Sequence, residues 1–327
     1  MKATPNTRSI SKRMVSSSIR SGIGVSQIKL TRGFSTVFHY GRRMLFLVRY
    51  GEIGLKSKPV RRRLRDRLIT NIQDSFLNEG IECITSSEEG RVYVRSENEE
   101  GARRILSRTF GIVSFSPVME TSSKMEEIAE TILHSYEEEL RKGGTFAIRA
   151  RRTGTHPYSS QDLASEMGRS VLADFQKMKV DLGSPDMEIH VEVRGKDGYV
   201  FREIIPGPGG FPLGSQGKVL GLVDDVKGTV SCWLMMKRGC KVYFAHKEGN
   251  ELVRILEGWD PRPKSYLIKN EEELYDLAKK LRVEGVVFGN DIENLMFQKK
   301  GDLATFYPVV GLSTERIQAL ATGIGLE

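Results

Sequence analysis

The chain has 327 residues, 50 of them Lys or Arg against 42 Asp or Glu, for a formal charge of +8, and 39% are apolar. That length excludes a single small module and leaves room for two or three domains, each with its own core. No apolar run approaches the ~20 residues of a bilayer-spanning helix, and the scattered Cys83, Cys232 and Cys240 form no disulfide framework, which suits a reducing, cytoplasmic interior.

The charge is uneven along the chain. Residues 1–43 hold nine basic residues (Lys2, Arg8, Lys12, Arg13, Arg20, Lys29, Arg32, Arg42, Arg43) and no acid. Taking nine from fifty leaves 41 basic residues against 42 acidic ones, so nucleic-acid binding must rest on local patches. This basic extension reads as disordered, or as a mis-assigned start ahead of Met44. Its Ser- and Arg-rich composition also fits a mitochondrial transit peptide, and its charge fits a tail that grips nucleic acid.

Residues 44–50 alternate as a strand, and a Gly-containing loop leads to a helix opened by Pro59 and closed by Gly80. Leu64, Leu68, Ile72 and Phe76, each four apart, form its buried stripe. Strands at 81–85 and 91–95, a helix near 98–107 and a strand at 112–119 complete the β-α-β-β-α-β order of a ferredoxin-like unit. A second unit follows: a helix at 125–141, a strand at 145–152, a helix at 161–177, and strands at 188–194 and 199–205 paired across Lys196-Asp197-Gly198. Pro206-Gly-Pro-Gly-Gly210 reads as a linker without regular structure.

The third unit alternates strands at 218–223, 241–246, 265–268, 285–288 and 305–310 with helices at 230–238, 251–257, 271–282, 291–298 and 314–322. Alternation of this kind predicts a parallel sheet with a ligand crevice at the carboxyl ends of its strands. The expected division is a basic extension over 1–43, then units at 44–119, 120–206 and 216–327, with a linker at 207–215.

Several motifs point to one family. Phe211-Pro-Leu-Gly-Ser-Gln-Gly-Lys218 ahead of an apolar strand resembles the entry to the PP-loop ATPase domain of tRNA 4-thiouridine synthetases. Tyr50-Gly-Glu-Ile-Gly-Leu-Lys56 and the basic helix with Arg61, Arg62 and Arg65 resemble their N-terminal ferredoxin-like domain. Phe146-Ala-Ile-Arg149-Ala-Arg151-Arg152, His156 and the stretch from Val180 to Val193 resemble a THUMP domain. The resemblance, which runs from Met44 to the C-terminus, implies a ferredoxin-like domain, a THUMP domain and a Rossmann-like, PP-loop parallel sheet, α/β and α+β together.

It also implies that the THUMP domain holds the 3′ acceptor end of tRNA, that ATP with Mg²⁺ adenylates a uridine oxygen, and that a persulfide sulfur displaces AMP. Arg149 and Arg151 share one strand face, and His156-Pro157-Tyr158 adds a stacking surface for unpaired bases. The competing reading is a solvated charged face neutralised by Glu52, Asp66 and Glu166.

Where the family has Ser-Gly-Gly-x-Asp-Ser, this chain has Asp224, Asp225, Val226, Lys227, Gly228 and Thr229. Both glycines that let amides close on pyrophosphate are replaced. Each added carboxylate repels a phosphate oxygen by up to about 4 kcal/mol at ~4 Å and an effective dielectric of ~20. The two acids cap the following helix, or hold Mg²⁺ for a nucleotide. Leu222, Val223, Gly289 and Gln298 match family positions that touch ATP, and each also reads as a fold-keeping residue.

In the family a persulfide cysteine follows a segment matched here by Pro308-Val-Val-Gly311 through Ile324-Gly325. The chain ends at Glu327 ahead of that cysteine, and without a rhodanese extension, so a short form is expected. The expected function is tRNA binding in 4-thiouridine biosynthesis, with adenylation and sulfur transfer impaired and no catalytic residue assigned. The expected partners are tRNA, a sulfur-carrier protein or active thiolation enzyme, and a second copy of the chain. The alternatives are a non-catalytic THUMP tRNA-binding partner and a Mg-dependent nucleotide-using enzyme acting through Asp224 and Asp225.

Overall fold

The structure, a computed structural model, describes residues 43–88, 90–295 and 303–326, the side chain of Glu52 excepted. The basic extension up to residue 42 and Gln298 lie outside the described residues. Strand β1 (Met44–Arg49) runs through a short 3₁₀ turn into α1 (Lys58–Asn78), whose Leu64, Leu68, Ile72 and Phe76 are buried as their spacing predicts. Then come β2 (Ile84–Glu88), β3 (Arg91–Ser96), α2 (Glu99–Arg108) and β4 (Ser114–Ser122). The antiparallel order β2-β3-β1-β4 is the ferredoxin-like sheet, and α1 and α2 cover one face of it through Phe46, Val48, Val92 and Val94.

The second half comprises α3 (Met125–Ser135), α4 (Glu137–Lys142), β5 (Gly144–Thr153), α5 (Ser160–Asp174), β6 (Met178–Val180), β7 (Met187–Arg194), β8 (Asp197–Phe201) and β9 (Ile205–Pro206). Residues 114–118 of β4 pair with β1, and residues 119–122 pair with β8. The division expected at 119/120 thus falls inside one unbroken strand. From β8 the sheet continues through β7 and β5 to β6, with β5 parallel to both its neighbours. Helices α3 and α5 pack on one face through Phe146, Ile148, Ile189 and Val191.

Local departures from the predicted elements have readable causes. The helix expected over 125–141 breaks at Tyr136, which leaves helical geometry at φ −121 and turns its ring into the core beneath Arg202. The hairpin turns one residue earlier than expected, on Gly195-Lys196, because Arg194 pairs with Asp197 and Gly195 takes φ +58. The expected linker is also tethered: Pro206 pairs with Ser114, and the Gly207 N–H bonds to the Val113 carbonyl at 2.9 Å.

The last unit holds β10 (Lys218–Leu222), α6 (Val226–Lys237), β11 (Lys241–His246), α7 (Leu252–Glu257), β12 (Ser265–Leu267), α8 (Glu271–Leu281), β13 (Gly285–Val287), β14 (Ala304–Phe306) and α9 (Thr314–Ile324). Its five strands are parallel in the order β12-β11-β10-β13-β14. Helices α6, α7 and α9 cover one face and α8 the other. Phe110, from the ferredoxin-like half, is buried in this core between Trp233 and Trp259, with ring centroids 5.5 and 5.4 Å away. Asn71 of α1 donates to the Leu213 carbonyl at 3.1 Å beside it.

Gly221 of the central strand β10 faces α6 so closely that an added Cβ would lie 2.3 Å from Cys232 Sγ. Overpacking of this kind costs typically 1–3 kcal/mol. Gly221→Ala is expected to lower stability by about 1–3 kcal/mol, and adding Cys232→Ala should restore most of it, both read from thermal unfolding.

Candidate nucleic-acid interface

The face of the long sheet opposite the α3 and α5 core carries the side chains that alternation sends away from that core. On β5 these are Arg149 and Arg151, on β7 Glu188, His190 and Glu192, and on β8 Phe201. Arg49, at the end of β1, reaches the same place from the ferredoxin-like half. Together with Ser160, Gln161 and Ala164 at the start of α5 they line a cleft of about 660 Å³.

Arg149 is half exposed, pairs with Glu188 at 2.7 Å and donates to the Leu182 carbonyl at 2.9 Å. Arg151 is exposed and makes no ion pair or hydrogen bond among the described residues. His190 stacks on Phe201 at 5.1 Å with an 11° interplanar angle, and the Arg49 guanidinium lies 4.9 Å above the other ring, Phe201. Burial, foremost, holds the His190 imidazole below its ordinary value; Glu188 pulls the other way, and Arg49, Arg149 and Arg151 add to the depression. Burial likewise draws Arg49 down to about 10 against the support of Glu192, with Arg91 and Arg151 adding repulsion.

The remaining predicted arginines do not join this cleft. Arg152 points to the other side of β5 and donates to the Gly154 carbonyl at 3.0 Å. His156 stacks on Tyr158 at 5.5 Å, as its sequence neighbourhood suggests, with Nε2 3.1 Å from the Thr153 carbonyl. On α1, Asp66 engages Arg65 at 2.9 Å and Arg62 at 3.8 Å, while Arg61 donates to the Lys56 carbonyl at 3.4 Å. Asp66 is therefore the neutralising partner the sequence offers, and Glu166 pairs instead with Arg169 at 2.8 Å. Sequence reasoning missed Arg49, His190 and Phe201. Alternation marks Arg49 and His190 as facing away from the helices, but only the pairing of β1, β4, β8, β7 and β5 brings them together.

In the parallel sheet the order reverses between β10 and β13, the usual place for a nucleotide crevice. Here the predicted loop is short, because α6 starts at Val226 and not at Val230: Asp225 is its N-cap, accepting from the Gly228 N–H at 2.7 Å. Lys227 is bound to Asp291. Asp291 also accepts from the Asn294 N–H at 3.2 Å, which makes a turn where the sequence predicts a helix from 291. Val223 is fully buried in the core, and Leu222 packs beside Leu220. A Cβ on Gly289 would lie 2.3 Å from the Gly228 nitrogen, so this glycine lets β13's end close onto α6. A polyphosphate does not fit such a terminus, since a carboxylate already occupies an amide it would need and Asp224 adds a second negative charge. Among the described residues no group of three or more His, Cys, Asp or Glu could hold a metal.

The cysteines are held as thiols. Burial pushes Cys83 up to about 11 and raises Cys232 and Cys240 as well. No helix among the described residues is long and apolar enough to cross a membrane.

Residues 45–116 match the ThiI ferredoxin-like domain and residues 122–202 the THUMP domain. Two relatives are described as probable tRNA sulfurtransferases. That of Methanothermobacter thermautotrophicus is 40% identical over 211 residues, 62% of this chain and 52% of its own length. That of Thermococcus kodakarensis is 30% identical over 332 residues, 85% of this chain and 87% of its own length. The chain thus spans about half the length of the Methanothermobacter relative. A crystal structure of a Pyrococcus horikoshii protein superposes with a TM-score of 0.76 at 27% identity, over 86% of this chain and 100% of that one. A 4-thiouridine synthetase, crystallised with RNA and bound ATP, superposes at 0.72 and 22% identity, over 87% and 85% of the two chains.

Fold and cleft together define a THUMP-bearing α/β protein, a ferredoxin-like unit fused through one strand to a THUMP sheet and followed by a parallel sheet. The chain belongs to the tRNA sulfurtransferase family.

Removing the α6 cap by Asp225→Ala is expected to cost about 1 kcal/mol of stability, measured by chemical denaturation. The Asp224 carboxyl, its inner side sheltered at the strand end and Asp225 beside it, is held above the usual carboxylate range, though its outer edge stays exposed. A raised folded-state pKa means that the ionised form weakens the fold at neutral pH, and that this penalty fades as falling pH supplies the proton. Asp224→Asn should therefore stabilise at pH 7 by no more than about 0.5 kcal/mol, and the difference should vanish below pH ~4, as melting temperatures across that range will show.

Proposed function

We propose that this chain binds tRNA in the cleft between its ferredoxin-like and THUMP halves, with the 3′ acceptor end against Arg149 and Arg151, and that it acts in tRNA thiolation to 4-thiouridine. The observation that carries this reading is the clustering of Arg49, Arg149 and Arg151 with the stacked His190 and Phe201 along one cleft, which the start of α5 borders. Guanidinium groups engage phosphate oxygens and aromatic rings stack unpaired bases, the two requirements of a single-stranded RNA end. Arg152, His156 and the basic side of α1, with Arg61, Arg62 and Arg65, supply outlying contacts to the same RNA. The units at 44–119, 120–206 and 216–327 and the linker at 207–215 belong to this reading.

The same reading has the chain's own ATP-dependent adenylation and sulfur transfer impaired. The self-capped α6, the Lys227–Asp291 pair and the three raised thiols support it. Chemistry then falls to an active thiolation enzyme or a sulfur-carrier protein working on the same tRNA.

Gel shifts with tRNA and with tRNA lacking its 3′ tail test the RNA half. Loss of the tail should weaken binding, and equal binding to both would count against the acceptor-end assignment. Charge reversal at Arg149 and Arg151 should lower affinity and flatten the slope of log K against log salt by roughly 0.7 for each single-strand phosphate no longer neutralised. Calorimetry with Mg-ATP should give no saturable heat, whereas saturable binding would restore the nucleotide-using alternative.

A further inference from the structure

Glu192 sits on β7 at the floor of the cleft with its side chain only 5% exposed. Three guanidinium groups from three strands converge on it: Arg91 of β3 at 2.9 Å and Arg194 of β7 at 3.1 Å on Oε1, and Arg49 of β1 at 3.8 Å from Oε2. One carboxylate thus faces three positive charges, two of them from the ferredoxin-like half, across the junction of the two halves of the sheet. The local excess is positive, and it lies where solvent screens poorly.

Arg49 is fixed on several sides. Its Nη1 donates to Ser116 Oγ at 2.9 Å, Glu192 lies beside Nη2, and Phe201 lies beneath the guanidinium plane. Those contacts use part of its five N–H donors, and the rest have no partner among the described residues. Glu192 itself is buried and negatively charged, so it is no ligand for RNA.

We infer that Glu192 is a positioning residue, whose carboxylate, clamped by Arg91 and Arg194, holds the Arg49 guanidinium at the cleft floor in the place where it meets an RNA phosphate. This rests on the tRNA-binding reading above. It assigns an acidic residue a favourable part in binding a polyanion, which bulk electrostatics would not anticipate.

The sign of the effect is the test. If Glu192 acted only through its charge, Glu192→Gln would strengthen tRNA binding by removing a repulsive carboxylate. If it positions Arg49, the same change in the full chain weakens binding on the order of tenfold, within the range of couplings between contacting charged residues. The double variant Glu192→Gln with Arg49→Ala should then bind about as weakly as Arg49→Ala alone, because the aimed group is already gone. Unchanged or tighter binding by Glu192→Gln, or effects that simply add in the double variant, would overturn the inference. Should Glu192→Gln melt below the assay temperature, Glu192→Asp, which keeps the charge but draws it back by one methylene, carries the same cycle with the same readings. Failure of the tRNA reading looks different: wild type and the Arg149/Arg151 charge-reversal variant would then bind tRNA equally, whatever Glu192→Gln does.

Discussion

Strand β4 hydrogen-bonds to β1 along its first five residues and to β8 along its last four. A ladder shared in this way leaves the two sheets no hinge, because rotating one against the other would tear backbone hydrogen bonds that have no other partner. The cleft inherits that rigidity. Arg49 from one half and Arg149, Arg151 and His190 from the other are held at fixed separations before any ligand arrives, so binding costs little in ordering them. Glu192 adds a charge-assisted tie across the same seam, and Tyr93 and Tyr199, 5.4 Å apart, close the apolar side of it.

The parallel sheet has a different internal logic. Its central strands point their carboxyl ends at a helix start, where exposed amides would welcome an anion. Asp225 supplies that anion from within the chain, and Gly289 brings the neighbouring strand end against the same turn. The start of α6 is thereby capped from within the chain. Phe110, lodged between Trp233 and Trp259, couples this sheet to the ferredoxin-like half, so the two share a buried aromatic contact.

Much of this was legible from residue spacing. Four-apart Leu64, Leu68, Ile72 and Phe76, with Pro59 ahead of them, announced α1, because local burial and backbone preference need no distant partner. The same local rule explains the cap at Asp225, one of the readings its position allowed. Some departures fell where long-range contacts decide: Tyr136 leaves its helix to reach a core built from other strands, and the Pro206–Gly210 segment is pinned by a ladder to residues near position 113, whereas the start of α6 at Val226 was set locally by Asp225. The three-residue β6 carries too little periodicity to be seen at all.

The candidate interface divides in the same way. Composition and motif placed Arg149 and Arg151 on one strand face and the acids at the α6 start, since both depend on periods of two and four residues along a single element. Arg49 lies 100 residues or more from the cleft arginines in sequence, and no periodicity connects them. Only the order β1-β4-β8-β7-β5 sets Arg49 over Phe201 and leaves Glu192 buried among three guanidinium groups. Side-chain direction along an element is a local property and can be read from the chain, whereas which elements become neighbours is settled by packing and strand pairing over the whole molecule.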